Sequence, residues 1–175
     1  RKHTNATLRI DANAAWTAGE ALQKIEAFKN LNIEFIEQPL AKEDWAGMRV
    51  LYQKSPIPLI ADESCVFESE VEKCVNHFHG INIKLTKCSG ITPALRMIKR
   101  ARELNLKVMV GSMNESTVGS AAIAHLMPLV DYVDADGPLL LKEDVAEGLQ
   151  YNQDGTIITG EAPGLGITFK DLYTK

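Results

Sequence analysis

The sequence is short of sulfur, lacks any long apolar run and carries no excess of positive charge. Its three cysteines, Cys65, Cys74 and Cys88, are an odd number with no CxxC spacing. That argues against a disulfide framework or a structural zinc site, and a reducing cytoplasm fits. No run of 18 or more apolar residues occurs, so no membrane span is expected. A net charge of −4 without a basic stripe leaves no footprint for nucleic acid. No glycine-rich phosphate turn follows the first candidate strand, which weighs against an open doubly wound sheet. The chain opens RKHTNATLRI, with no initiator Met and almost no lead-in before that strand. The expectation is therefore the C-terminal portion of a longer protein. What the sequence does have is apolar residues, 45% of 175, enough for one sizeable core.

Three acidic residues recur at an even interval, each at the end of a short apolar run. They are Asp11 in LRIDAN, Glu37 in IEFIEQP and Asp62 in PLIADES, and Lys84 in INIKLTK continues the series. The interval equals one strand, one helix and two loops, so the chain reads as repeated βα units that bring one functional side chain each to a common sheet edge. Strands are expected over 7–13, 33–39, 58–64, 80–87, 107–113 and 131–137. Helices are expected over 17–30, 42–54, 67–77, 91–104 and 116–129, the first opened by the capping-box pattern Thr17-Ala-Gly-Glu20. Six such units suggest an α/β fold, six-eighths of a TIM-like (β/α)₈ barrel with its first two units missing. Residues 1–148 would form this partial barrel. Residues 149–175 change character, with a hairpin signal at Asn152–Gly155 followed by the Gly/Pro-rich EAPGLG.

Strand pleating assigns the faces. Leu8, Ile10 and Ala12 share one side, and Arg9, Asp11 and Asn13 the other. Ile81, Ile83 and Leu85 oppose Asn82, Lys84 and Thr86. Helices cover the outside of a barrel, so the polar sets face inward, as do Asp134 and Asp136 of YVDADGP. Glu34 and Glu63 take outward parity and read as salt-bridge partners; Lys87 also reads as outward. His77, His79 and His125 lack ligand spacing and read as packing residues, as do Trp16 and Trp45.

Three carboxylates at one strand edge suit a hard, oxygen-preferring cation such as Mg²⁺. If a substrate carboxylate completed such a site, the ion would stabilise the enediolate left by loss of the α-proton, and a lysine of lowered pKa beside it would be the base. The reaction class is proton abstraction next to a carboxylate.

Together, DAN at 11–13, EQP at 37–39, ADES at 61–64 and NIKLTKCSG at 82–90 resemble the enolase superfamily, in its muconate lactonizing enzyme subgroup. The resemblance implies Mg²⁺ held by Asp11, Glu37 and Asp62, with Lys84 as one acid/base lysine. It also implies a modified barrel closed by a capping domain, against which 149–175 would pack, and a homo-oligomer. Asp134-Ala-Asp136 resembles the DxD motif of dipeptide epimerases, where the pair binds the substrate ammonium group. GSMNES at 111–116 resembles their seventh-strand motif, and offers Ser112 and Glu115 as substrate contacts. The expected activity is Mg²⁺-dependent epimerisation of a dipeptide such as L-Ala-L-Glu. The alternatives are a cycloisomerase, an o-succinylbenzoate synthase or an N-acylamino-acid racemase of the same subgroup, and an inactive truncated barrel. The family's other catalytic lysine lies in a K-x-K motif on a strand that would precede this chain.

Overall fold

A computed structural model describes residues 3–171. Arg1 and Lys2, and residues 172–175 that end the expected tail, lie outside the described residues. Six strands run parallel in chain order: β1 (Leu8–Asp11), β2 (Ile33–Glu37), β3 (Leu59–Ala61), β4 (Gly80–Lys84), β5 (Lys107–Gly111) and β6 (Tyr132–Asp134). The helices between them are α1 (Ala18–Phe28), α2 (Trp45–Lys54), α3 (Leu85–Cys88), α4 (Ile91–Glu103) and α5 (Thr117–Leu126). The sheet is curled. Arg9 on β1 donates from Nη1 to the Val133 carbonyl on β6 at 3.0 Å, so the two outer strands face each other across the interior. The result is an incomplete barrel of six βα units, as the spacing predicts.

Alternation sorts the side chains as expected. Ile36, Leu59, Ala61, Ile81, Ile83, Val108 and Val110 point outward into the main core, where they meet Ile25, Met48, Leu51, Met97 and Ile123 of the helices. Inside, Phe35, Ile60 and Met109 form a separate apolar layer packed against Tyr132, and the Arg9 guanidinium lies over the Phe35 and Tyr132 rings. This layer floors the barrel and leaves the strand ends above it to the polar residues. Arg9 also pairs with Glu34 at 2.7 Å, the partner role read for that acid.

The local starts have visible causes. Thr17 caps α1, accepting from the Glu20 N–H, while Glu20 accepts from the Thr17 N–H at 2.8 Å. Helix α2 begins at Trp45 rather than 42, because Asp44 caps it by accepting from the Gly47 N–H. Two spans differ in kind. Residues 67–77 hold a 3-10 helix, Glu68–Cys74, which buries Val71 and Cys74, three residues apart and in step with its three-residue turn. Strand β4 ends at Lys84 instead of 87, and the chain passes directly into α3.

After β6 come a 3-10 turn (Gly137–Leu140) and two small antiparallel pairs. In one, β7 (Ala146–Glu147) meets β10 (Thr168–Phe169); in the other, β8 (Leu149–Tyr151) meets β9 (Ile157–Thr159), the hairpin signalled by Asn152–Gly155. Ile157 and Leu165 pack on the barrel core, and the Tyr151 hydroxyl donates to the Ala135 carbonyl at 2.7 Å. Among the described residues no helix is long and apolar enough to cross a membrane.

Candidate active site

Register brings the acids together. Asp11 lies beside Glu37 across β1 and β2, Glu37 beside Ile60 across β2 and β3, and Asp62 follows β3 directly. Lys84 closes β4, where it lies beside Gly111 of β5, and Gly111 lies beside Asp134 of β6. All these positions are at the C-terminal strand ends, the edge from which barrel enzymes work.

Asp62 is buried and grips two lysines. Lys84 Nζ donates to Oδ2 at 2.7 Å and Lys87 Nζ donates to Oδ1 at 2.5 Å. The outward placement of Lys87 is thus corrected. Because the chain becomes helical after Lys84, residue 87 returns to the same side three positions later, where strand alternation would have sent it away. Burial works against the Lys84 ammonium, but the hydrogen bond to Asp62 and the charges of Asp62, Glu37 and Asp11 outweigh it and hold its pKa above the ordinary lysine value. The lowered value expected of a base is not the state of this arrangement.

Glu37 is 5% exposed. Burial pushes its pKa up to about 7, with the negative charges of Asp11 and Asp62 adding to the rise, while a hydrogen bond from Asn82 and the charge of Lys84 oppose it. Asn82 Nδ2 donates to Glu37 Oε1 at 2.6 Å. Asp11 is exposed and accepts at Oδ1 from the Asn13 N–H at 2.9 Å. Behind them, fully buried Gln38 accepts at Oε1 from the Asp62 and Ser64 N–H groups and donates from Nε2 to the Leu40 carbonyl and Ser64 Oγ.

On the sixth strand, Asp134 is raised by burial, then by the charge of Asp136 and a hydrogen bond to it; Lys84 and Arg9 pull the other way. Ser112 is buried just after β5. Glu115 is buried against Gly119 and Gly137, and neither of its carboxylate oxygens has a hydrogen-bond partner among the described residues. A cavity of about 280 Å³ reaches from Arg9 and Phe35 to Asp11, Glu37 and Asp134.

As they stand, no three His, Cys, Asp or Glu side chains among the described residues are grouped to hold one metal ion. Two ammonium groups take both oxygens of Asp62. The donor set nevertheless fits a hard cation. Three oxygen-only side chains on neighbouring strands leave Glu37 short of positive charge, which its raised pKa reports.

The remaining residues behave structurally. His79 Nδ1 accepts from the Leu59 N–H, and its ring lies 4.6 Å from that of Tyr52. Trp45 packs edge-on to His77 and Phe78, and Trp16 on Phe28. Glu63 has no ion pair among the described residues, and its Oε2 is buried without a hydrogen-bond partner, unlike the salt-bridged acid expected there. Lys87, Gln38 and the role of Asn82 escape a reading of single strands, since each acts on a group on another strand or loop.

A family model described as Enolase C-terminal domain-like matches residues 1–173. The chain belongs to this family. Among enolase-family relatives, it is 56% identical over 168 residues to an L-Ala-D/L-amino acid epimerase of Maribacter sp. (strain HTCC2170), covering 96% of this chain and 50% of that protein. It is 51% identical, with the same coverage, to an L-Ala-D/L-amino acid epimerase of Flavobacterium johnsoniae. A solved dipeptide epimerase from Cytophaga hutchinsonii, complexed with Mg and the dipeptide D-Ala-L-Val, superposes with a TM-score of 0.90 at 34% identity, over 95% of this chain and 47% of that one. The chain spans about half the length of the curated relatives it matches.

Proposed function

We propose that this enolase-type barrel portion serves Mg²⁺-dependent epimerisation of a dipeptide by removal and return of the α-proton beside its terminal carboxylate. The observation that carries this is electrostatic. The charge of Lys84 acts on Asp11, Glu37 and Asp62, and also on Asp134 across the mouth. Geometry agrees: Lys84 Nζ touches Asp62, and across the sheet only Gly111 separates Lys84 from Asp134 in register.

In this reading Asp11, Glu37 and Asp62 hold the metal. When bound, Mg²⁺ supplies positive charge that offsets the charge developing on the substrate carboxylate as the α-proton leaves. Asp134 and Asp136 hold the dipeptide's ammonium group: two adjacent carboxylates repel unless a cation stands with them, and the raised Asp134 reports that repulsion. Lys84 exchanges the α-proton at Nζ. For that it must leave Asp62 and lose the pairing that now holds its proton. The planar enediolate needs a base on each face; Lys84 supplies one of them, and Lys87 is positioned to keep a positive charge on Asp62 when Lys84 moves.

Incubating the protein at its full natural length, with the second lysine that this portion lacks, with a dipeptide panel and Mg²⁺ in D₂O should give α-deuteration, and absence of exchange with every dipeptide defeats the reading. Lys84→Ala should lower exchange by at least about a thousandfold, within the range of acid–base contributions, with Mg²⁺ binding retained. Exchange with N-acyl amino acids instead, insensitive to Asp134→Asn, would select an acylamino-acid racemase.

A further inference from the structure

We infer that Asn82 is a positioning residue that withholds one oxygen of Glu37 from the bound ion, and thereby sets the site's preference for Mg²⁺ over Ca²⁺. The inference rests on the metal reading above and deepens it.

Each acid of the trio has an oxygen engaged by protein, but in different ways. On Asp11 the partner is the N–H of exposed Asn13. On Asp62 the partners are two lysine ammonium groups on flexible stems. On Glu37 it is the amide of Asn82, 2% exposed, at 2.6 Å from Oε1. Of these partners Asn82 is the most deeply buried, and its Oδ1 has no hydrogen-bond partner among the described residues, so Glu37 is the partner its amide is given. Asn82 sits in the middle of β4, between the fully buried Ile81 and Ile83, and is registered with Met109 of β5. Two residues further along β5 the chain has a glycine. A Cβ at Gly111 would stand 2.7 Å from both Nδ2 and Oδ1 of Asn82, so the amide occupies the space a side chain there would take. The β5 backbone at Gly111 therefore bounds it on that side. It cannot turn over without setting its carbonyl oxygen against the carboxylate.

A carboxylate with one oxygen held in this way offers the other alone. Mg²⁺ demands near-octahedral coordination by single oxygens at short range. Ca²⁺ accepts six to eight oxygens and commonly takes both from one carboxylate. Strand β4 therefore governs two acids from one face: Lys84 engages Asp62, and Asn82 limits how Glu37 meets an ion.

The test is a calorimetric titration of the protein, at its full natural length and stripped of metal, with Mg²⁺ and with Ca²⁺ separately. Asn82→Leu keeps the approximate shape and removes the donor. Gly111→Ala leaves Asn82 chemically intact and pushes its amide. Both variants should shift the ratio of the two dissociation constants toward Ca²⁺ by about tenfold, the low end of what partners of metal ligands contribute. If Asn82→Leu does not fold, Asn82→Ser, too short to reach Oε1, carries the same comparison. A purely structural role would weaken both ions alike. An unchanged ratio in variants of a wild type that binds Mg²⁺ overturns the inference alone. A wild type that binds no Mg²⁺ overturns the metal reading and this inference with it.

Discussion

Glu37 is an acid placed where ionising it costs most. Its pKa rises from 4.5 to about 7 on folding, first through burial and then through the charges of Asp11 and Asp62. A raised acid binds its proton more tightly in the folded state, so between these two values folding takes up protons and stability falls as pH rises. A shift of that size corresponds to about 3 kcal/mol. In the presence of a chelator, urea midpoints should drop as pH goes from 4.5 through 7 and then level. Glu37→Gln keeps an acceptor for Asn82 and removes the charge. It should flatten most of that slope and be more stable than wild type at pH 8 by about 1–3 kcal/mol. Asp134 is raised in the same direction and remains in the variant, so some slope persists. Parallel stability curves for the two proteins would show that Glu37 is not the source.

At the scale of elements, the loops after β2 and β3 are joined by one side chain. Gln38 has a left-handed backbone, φ +32, which turns the chain out of β2 and lets the amide tuck beneath the next loop. There it accepts from Asp62 N–H at 3.0 Å and Ser64 N–H at 3.1 Å, and donates to Leu40 O at 2.9 Å and Ser64 Oγ at 2.8 Å. Gln38→Ala would leave several buried backbone groups unpaired and should cost about 3 kcal/mol or more, with weaker retention of Asp62 in its place; a thermal midpoint within a degree or two of wild type would refute it. This residue also shows where sequence reading stops. Period-two alternation placed Asp11, Asn82 and Lys84 inside and the Ile81/Ile83 pair outside, because the pleat alone decides a side. It does not report depth, so the apolar floor of Phe35, Ile60 and Met109 was invisible. Nor does it name partners 24 to 45 residues away, as for Gln38 with Asp62 and Asn82 with Glu37. And it fails where a strand turns helical without punctuation, as at Leu85, which hid Lys87.

At the scale of the whole molecule, six strands curl without closing. Among the described residues β1 and β6 each have one strand neighbour, so each offers a row of backbone groups to another chain. Beyond β6 lies a run of bare apolar residues, with Leu139 at 62%, Leu140 at 72% and Phe169 at 69% exposure. We propose that this surface, with the small pairs β7–β10 and β8–β9, is covered by the capping domain that the family resemblance implies. Burying Leu140 and Phe169 fully would contribute about 1.5–3 kcal/mol each, so left bare they favour contact with whatever apolar surface is near. Residues 1–175 produced on their own should therefore sediment as concentration-dependent assemblies and bind a hydrophobic dye. Leu140→Glu with Phe169→Glu should shift the distribution toward monomer while leaving the far-ultraviolet dichroism unchanged, since neither side chain is buried in the barrel core. If the double variant assembles as readily as the parent, the open strand edges are the adhesive feature. In that case, adding proline or lysine along β1 or β6 should be what disperses the chain, because those residues block strand addition at an edge.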